Sequence, residues 1–320
     1  MTNFEIVPDS SCDMTKVLRE KYGINHIIRG VVYKPDGTQI FADIDWETTT
    51  PEEYFNSMKG RKVLYKTATP PIGEIVEVFE PILKAGKDIL SISLSTGISG
   101  TYTAVKTIAE DLMKKYPERK IICIDSLRYA SAIALLVTKA VEKKNSGATL
   151  EETAEYVNYI KNCIHQMGPL DDLFFCVKTG RITNFQAFFG TLIGVNSLGD
   201  FGNNGLTAVL GKVKGHPLAL NVTVKYIAET IENPEEQTIF IAHSNREKSA
   251  HILAEKIREA INPKEIIINS VGMSCGSSIG PGLCAAYYIG KPISDGEITE
   301  RNLMDNIIKD INNKKTEMKK

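Results

Sequence analysis

A strand, a loop, a helix and a second strand follow one another in residues 89–124, which read ILSISL (89–94), STGISGT (95–101), YTAVKTIAEDLMKKY (102–116), PER (117–119) and KIICI (120–124). The apolar segments Ile89–Leu94 and Lys120–Ile124 have the length of buried strands. Tyr102–Tyr116 is predicted to be a helix. Two strands joined through a helix need a crossover connection, so this stretch predicts a largely parallel sheet.

The rest of the first half repeats the alternation of strand and helix. Thr50-Pro51-Glu52-Glu53 and Thr149-Leu150-Glu151-Glu152 each have a hydroxyl residue followed three positions later by Glu, which predicts a capping box at a helix start. The other predicted elements are strands at Phe4–Pro8 and His26–Tyr33, and helices at Met14–Tyr22, Gly73–Ala85, Tyr129–Lys144 and 149 to about 166.

Met167-Gly168-Pro169 interrupts the pattern and is the predicted domain boundary. We therefore expect an α/β domain at 1–166, with a largely parallel sheet flanked by helices, and a mixed α/β domain at 167–320. The elements predicted beyond the boundary are strands at Leu173–Val177, Leu206–Val213, Thr238–His243 and Glu265–Ser270, a hairpin turn at Asn203–Gly205, and helices at Asn184–Ile193, 217–232, Arg246–Ala260 and Thr299–Asn312.

Composition excludes several classes of protein. The 320 residues include 38 Lys and Arg against 39 Asp and Glu, for a net charge of −1, so nucleic acid is a disfavoured partner. No apolar stretch approaches the ~18–20 residues that span a bilayer, so an integral membrane protein is not expected. The N-terminus shows no secretory signal, and the six cysteines lack a CxxC pair or zinc spacing. These features predict a cytoplasmic protein with reduced thiols.

A Gly-x-Ser-x-Gly pattern at Gly272–Gly276 raises the question of a hydrolase nucleophile elbow. We reject that interpretation for two reasons. The elbow needs a helix directly after it, whereas Gly276–Gly282 reads as a loop. The hydrolase order also places the triad histidine after the serine, and His251 is the last histidine in the chain. No dinucleotide or P-loop fingerprint is present either.

The Ser95–Thr101 loop is the stronger candidate for a binding site. At the end of a parallel strand and the start of a helix, its hydroxyls and backbone N–H groups could hold an anion, although capping hydroxyls in an ordinary turn explain it equally well. Asp9 and Asp13 could bind a metal, but turn and capping roles are favoured. The five histidines share no spacing. We therefore predict no catalytic residue, no metal and no cofactor.

Several loops together resemble the DegV family, in order and spacing over about residues 6–289. The most specific is Leu94–Tyr102 (LSTGISGTY), which is similar to the family's Leu-Ser-Ser-x-Leu-Ser-Gly-Thr-Tyr. The other matching segments are Asp9–Asp13 (DSSCD), Thr67–Glu74 (TATPPIGE), Asp125-Ser126, Lys178–Ile182 (KTGRI), Lys212–Gly215 (KVKG) and Gly280–Gly282 (GPG). Ser278 stands where family members often have the histidine of Gly-x-His-x-Gly-Pro-Gly.

The resemblance implies a bacterial lipid-binding protein that holds a long-chain fatty acid such as palmitate between two α/β domains. Residues 1–166 would carry the carboxylate-binding loops, and residues 167–320 would cover the acyl chain. Thr67 and Ser95 would hydrogen-bond the carboxylate, with Ser278 in the position of the family histidine. The resemblance also implies a separate fatty acid kinase subunit that phosphorylates the bound ligand, with Arg181 involved in that interaction. The protein itself would not be an enzyme.

One alternative of a different class stays open at this stage. A small-molecule phosphotransfer or hydrolytic enzyme could use the Ser95–Thr101 loop as an anion cradle. A fatty acid binder should retain lipid on purification, and such an enzyme should not.

Overall fold

The computed structural model describes residues 3–182 and 194–317, and the chain divides into two compact units. The first unit comprises Met1–Asn162 and Val271–Ser278. The second comprises Cys163–Ser270 and Ile279–Lys320. The chain therefore leaves the first unit and comes back to it for one short segment, Val271–Ser278, which is called the return segment below.

The first unit alternates strands and helices. Its strands are β1 (Phe4–Pro8), β2 (Val31–Tyr33), β3 (Gln39–Phe41), β4 (Lys66–Ala68), β5 (Asp88–Ser93) and β6 (Ile121–Asp125). Its helices before the domain crossing are α1 (Lys16–Tyr22), α2 (Pro51–Met58), α3 (Ile72–Lys84), α4 (Thr101–Lys115), α5 (Ser131–Asn145) and α6 (Leu150–Ile160).

A parallel sheet of order β1-β5-β6 forms the centre of this unit, with Leu90 of β5 paired to Ile6 and Ile122. Successive side chains of a strand point to opposite faces. On one face, strand residues such as Val7 and Ile89 pack in a core with α3 and α4. Helices α5 and α6 contact the same strands and cover the other face. The predicted parallel sheet flanked by helices is confirmed.

Both predicted capping boxes are present. At the start of α2, Thr50 Oγ1 accepts from the Glu53 N–H at 3.1 Å, and the Glu53 carboxylate accepts from the Thr50 N–H at 3.0 Å. Thr149 and Glu152 make the same pair of bonds at the start of α6, at 3.2 and 2.8 Å. These local bonds satisfy N–H groups that have no partner within the helix.

A small antiparallel sheet of order β3-β2-β4 lies in the same unit. Its central strand is shorter than the predicted strand at 26–33, because only Val31–Tyr33 is paired in it. Ile28 instead forms an isolated parallel bridge with Asp9. This bridge joins the start of the segment to the loop after β1.

The second unit combines a mixed sheet with an antiparallel one, as the mixed α/β prediction required. Its strands are β7 (Ile164–Met167), β8 (Pro169–Leu170), β9 (Val195–Phe201), β10 (Thr207–Lys214), β11 (Thr238–His243), β12 (Glu265–Ser270) and β13 (Cys284–Ile289). Its helices are α7 (Phe174–Lys178), α8 (His216–Thr230), α9 (Glu247–Ile261) and α11 (Ile298–Glu317), and α10 (Met273–Ile279) begins in the return segment.

The mixed sheet has the order β12-β11-β13-β7, in which only the β11–β12 pair is parallel. The antiparallel sheet has the order β10-β9-β8, and the predicted turn at Asn203–Gly205 connects β9 to β10. Residues such as Leu198, Tyr226 and Ile239 form the core of this unit together with α8, α9 and α11.

Three predicted elements are wrong. Leu173–Val177 is not a strand, because the Asp172 carboxylate caps Phe174 N–H at 2.9 Å and opens the short helix α7. The helix predicted to reach residue 166 ends at Ile160, and Ile164–Met167 pairs with β13, a strand that the sequence pattern did not indicate. The loop predicted at Gly276–Gly282 is wrong in its first half, because helix α10 continues to Ile279.

The helix predicted at Asn184–Ile193 lies outside the described residues. No helix within residues 3–182 and 194–317 is long and apolar enough to cross a membrane.

Candidate functional site

The carboxyl ends of β1, β5 and β6 lie at one edge of the parallel sheet, because the three strands run in the same direction. Ligand sites of open α/β sheets occur at this edge. Two loops that begin here are Asp9–Asp13, called the acidic loop below, and Ser95–Thr101, called the hydroxyl loop.

The acidic loop is buried although most of its residues are polar, and each of the five is 4% exposed or less. Asp9 accepts the Ser11 N–H at 2.7 Å and the Leu94 N–H at 2.6 Å. Strand β1 ends at Pro8, so the Asp9 side chain supplies an acceptor where the backbone has turned away from β5. This carboxylate thereby holds the residue directly before Ser95.

Asp13 binds two other parts of the first unit. Its carboxylate accepts the Gly272 N–H of the return segment at 2.8 Å and the Ser131 hydroxyl at 3.0 Å. Ser10 adds a second link to the return segment, since its Oγ lies 3.0 Å from Ser274 Oγ. The acidic loop therefore holds the return segment from two sides.

Thr67 lies in β4, at the edge of the small sheet, and is exposed. The following residue, Ala68, approaches Gly30 so closely that a Cβ at Gly30 would stand 3.3 Å from the Ala68 carbonyl oxygen. The Gly30 N–H in turn donates to Ser10 Oγ at 3.0 Å. Backbone contacts thus connect the Thr67 segment with the acidic loop.

Ser95 is fully buried at the start of the hydroxyl loop. Its Oγ accepts the Gly97 N–H at 3.1 Å, and its carbonyl oxygen accepts the N–H groups of Ile98 and Ser99. A Cβ at Gly100 would lie 3.5 Å from Thr69 Cγ2, so this loop also neighbours the Thr67 segment.

The hydroxyl loop is poorly suited to a phosphate. The N–H groups of residues 96–99 all donate to acceptors within the protein. The Asp125 carboxylate accepts from both the N–H and the hydroxyl of Thr96, at 3.1 and 2.5 Å. A phosphate placed there would meet a carboxylate and few available amides, which argues against the alternative of an anion-cradle enzyme.

Ser278 is half-buried in α10 and belongs to the return segment. Ser274 lies four residues earlier, and positions i and i+4 share one face of a helix. Because Ser274 contacts Ser10, Ser278 lies on the helix face that is turned toward the acidic loop. The three hydroxyl residues therefore lie close in sequence to residues that contact or neighbour the acidic loop. Thr67 is next to Ala68, Ser95 is next to Leu94, and Ser278 is four positions from Ser274.

Arg181 belongs to the second unit and follows α7. Its side chain is half-buried, and its guanidinium donates to the Thr179 carbonyl oxygen. Arg181 and the three hydroxyl residues therefore belong to different units.

Burial dominates the electrostatics of the acidic loop. It raises the pKa of Asp13 to about 7, although the bonds from Gly272 and Ser131 oppose the shift. Burial also raises the pKa of Asp9. The pKa of the Cys12 thiol and that of the Cys275 thiol are raised for the same reason, so both are protonated and neither is an activated nucleophile.

Packing explains the Gly-x-Ser-x-Gly pattern. A Cβ at Gly272 would lie 3.1 Å from Asp13 Oδ1, and one at Gly276 would lie 2.9 Å from the Phe55 ring. The two glycines thus allow close approach on either side of Ser274. The pattern does open a helix, α10, so the predicted loop after it is wrong. The nucleophile elbow still lacks a histidine after the serine.

Two histidines of the second unit have structural partners. His165 Nδ1 lies 2.6 Å from Asp200 Oδ2 and its Nε2 lies 2.8 Å from the Lys291 carbonyl oxygen. His216 lies between Asn196 and Ser249, at 3.1 and 2.9 Å. Within residues 3–182 and 194–317, no group of three His, Cys, Asp or Glu side chains could hold a metal ion.

The sequence patterns did not reveal the roles of Asp9 and Asp13. Local chemistry predicted turn and capping roles, and the bond from the Ser11 N–H to Asp9 is such a turn. The other partners, Leu94 and Gly272, lie 85 and 259 positions from the aspartates that they contact. One signal was available: two aspartates and two serines directly follow an apolar strand, and ligand sites of open α/β sheets lie beyond the carboxyl ends of strands.

The comparisons with known proteins agree along nearly the whole chain. Residues 3–291 match the family described as "Uncharacterised protein, DegV family". A DegV domain-containing protein of Clostridium perfringens is 31% identical over 290 residues, covering 91% of this chain and 98% of that protein.

Solved structures show the same fold. DegV of Bacillus subtilis, described as a fatty acid binding protein, is 25% identical with a TM-score of 0.75, covering 91% of this chain and 100% of that one. A stearic acid-binding protein of Eubacterium ventriosum is 20% identical with a TM-score of 0.80, covering 90% and 98%. On the family match and the relative from Clostridium perfringens, this chain belongs to the DegV family.

Proposed function

We propose that this protein binds one long-chain fatty acid and holds its carboxylate with the hydroxyls of Thr67, Ser95 and Ser278. The observation that carries the proposal is that three separate segments bearing these residues are all tied to the buried acidic loop in one unit. Family membership supports it, because relatives with this fold bind fatty acids, one of them stearic acid.

The chemistry of the site suits a fatty carboxylate better than a phosphate. A carboxylate that leaves water needs hydrogen-bond donors, and neutral hydroxyls supply them without a cation. Burying ~15 methylene groups at ~0.8 kcal/mol each gives a gross gain of about 12 kcal/mol before ordering costs. The acyl chain therefore supplies most of the affinity, and a chain near palmitate in length is the ligand that we propose.

We further propose that the protein is a carrier rather than an enzyme. In this role it presents the carboxylate to a separate fatty acid kinase subunit, which makes an acyl phosphate, and Arg181 takes part in that encounter. The cytoplasm is the compartment that we propose, and the six free cysteines are in keeping with reducing conditions.

Native mass spectrometry of the purified protein, before and after denaturing lipid extraction, tests the ligand. We expect about one fatty acid per chain, and uptake of palmitate by the extracted and refolded protein. A native mass equal to that of the bare 35.4 kDa chain, with no palmitate uptake, would falsify the proposal.

Variants then test the carboxylate site. Thr67→Val and Ser95→Ala should each weaken palmitate binding about ten- to a hundredfold, with a less than additive double variant. Ser91→Ala is the matched control for Ser95, because Ser91 is a buried serine of β5, four positions earlier, whose hydroxyl has no hydrogen-bond partner among the described residues. Thr107→Val, an exposed threonine on α4, is the control for Thr67.

A further inference from the structure

The acidic loop supplies none of the hydroxyls that we propose for carboxylate binding. It contacts the backbone next to two of them. Asp9 binds the Leu94 N–H, directly before Ser95. Asp13 binds the Gly272 N–H, directly before the helix that carries Ser278. Asp13 also has a φ of 53°, a left-handed backbone conformation that is uncommon for a residue with a Cβ. Such a conformation persists only where the surrounding contacts enforce it.

We propose that the acidic loop positions the carboxylate site, with Asp9 setting the place of Ser95 and Asp13 setting the place of the helix that bears Ser278. The inference rests on the proposed function, because a positioning role has meaning only where these hydroxyls hold a ligand. In this assignment Asp9 and Asp13 are positioning residues that act through serines on two distant segments.

The two aspartates differ in the hydrogen bonds that they accept, and this difference makes the assignment testable. Both oxygens of Asp9 face backbone N–H groups, those of Ser11 and Leu94. An asparagine amide has only one acceptor oxygen, so Asp9→Asn must point its NH₂ at one of these donors and lose that bond.

Asp13 faces the N–H of Gly272 and both the N–H and the hydroxyl of Ser131. In Asp13→Asn, the side-chain oxygen can still accept from Gly272, which is the contact that places α10, and the NH₂ can donate to the Ser131 hydroxyl, which can accept as well as donate. Only the bond from the Ser131 N–H is lost, whereas Asp13→Ala loses all of these bonds. Asparagine should therefore preserve most of the function at position 13 and impair it at position 9.

A positioning residue also has a signature in a double-mutant cycle. If Asp9 acts through Ser95, then removal of the Ser95 hydroxyl leaves the Asp9 variant little to disturb. The effects of Asp9→Asn and Ser95→Ala on palmitate affinity should then be strongly non-additive. A general loss of structure would weaken binding by the same factor in either background.

The experiment measures palmitate affinity by isothermal titration in lipid-extracted protein, with circular dichroism to confirm folding. We expect Asp9→Asn to weaken binding about tenfold in the wild-type background and less than about twofold in the Ser95→Ala background. Asp13→Ala should weaken palmitate binding about tenfold in the wild-type background and have little effect in the Ser278→Ala background. Asp13→Asn should bind palmitate almost as tightly as the wild type.

Asp88→Asn is the matched control. Asp88 lies at the opposite end of β5, where its carboxylate accepts the Lys120 N–H at 2.9 Å and pairs with Arg119 at 3.7 Å. An asparagine can keep the bond from Lys120 and gives up only the charge of the partly exposed pair. Its affinity should equal that of the wild type.

Each outcome is decisive. Wild-type protein that takes up no palmitate overturns the proposed function, and this inference with it. Wild-type binding with additive Asp9 and Ser95 effects, or with equal losses in Asp13→Asn and Asp13→Ala, overturns the inference alone. If Asp9→Asn does not fold, the comparison of Asp13→Asn with Asp13→Ala still tests the positioning role.

Discussion

Asp9 and Asp13 are buried side chains on which the proposed site depends. A buried carboxyl group must either find hydrogen-bond donors or take up a proton. Both aspartates find N–H or hydroxyl donors, and burial still raises the pKa of each. The folded protein therefore favours their protonated forms more than the unfolded chain does, which makes stability depend on pH.

Asp13→Asn should reduce this pH dependence. The pKa of Asp13 is raised from an ordinary value near 3.8 to about 7, so its contribution to the free energy of unfolding is greatest below about pH 4. That contribution is lost as the pH rises through about 7, at up to ~1.4 kcal/mol per pH unit. Asparagine does not titrate, so the variant should gain stability relative to the wild type between pH 5 and pH 8.

Urea unfolding of both proteins at several values in this range measures the difference. Some slope should persist in the variant, because the pKa of Asp9 is raised as well. Parallel stability curves for the two proteins would show that Asp13 does not titrate in this window.

Among the secondary-structure elements, the sequence predicted best those whose signals are local. The capping boxes at Thr50 and Thr149, the strands at Thr238–His243 and Glu265–Ser270, and the turn at Asn203–Gly205 are all present. Each depends on neighbouring residues, which a sequence displays directly.

The wrong predictions arose where the partner of a segment lies far along the chain. A short apolar run such as Leu173–Val177 has no period long enough to separate a strand from a helix. Ile164–Met167 becomes a strand because β13, more than a hundred residues later, pairs with it. The resemblance to the DegV family also implied Thr67, Ser95 and Ser278 as site residues, but the sequence could not show that the return segment belongs to the first unit.

Helix α10 depends on a close contact that only glycine permits. A Cβ at Gly276 would lie 2.9 Å from the ring of Phe55, which is fully buried. Gly276→Ala should therefore destabilise the protein by about 1–3 kcal/mol through overpacking. It should also weaken palmitate binding, because α10 carries Ser278.

Gly73→Ala is the control for this prediction. Gly73 lies in helix α3, and a Cβ there would meet no atom within 4 Å. Alanine favours a helix over glycine by up to about 1 kcal/mol, so this variant should be as stable as the wild type or more stable. Thermal melts of the two variants compare them, and equal stability would contradict the assigned contact.

At the scale of the whole molecule, the residues proposed for ligand binding and the residue proposed for the kinase encounter belong to different units. The three hydroxyl residues belong to the first unit, and Arg181 belongs to the second. A change at Arg181 should therefore leave the hydrogen bonds of the carboxylate site intact. Binding of the fatty acid and its proposed presentation to a kinase should therefore be separable in experiment.

Arg181→Ala should separate these two steps. In a reconstituted assay with the purified fatty acid kinase subunit, we expect acyl phosphate formation to fall about tenfold or more, the effect of losing one interfacial arginine. Palmitate affinity should stay within about twofold of the wild type. The control is Arg119→Ala. Like Arg181, Arg119 is half-buried and donates to a backbone carbonyl oxygen, in this case that of Gly86. Arg119 precedes β6, at the end of the parallel sheet opposite to the hydroxyl loop. Equal rates of acyl phosphate formation in the two variants would show that Arg181 has no part in the encounter with the kinase. A loss of palmitate affinity as large as the loss of rate in Arg181→Ala would indicate a role in ligand binding instead.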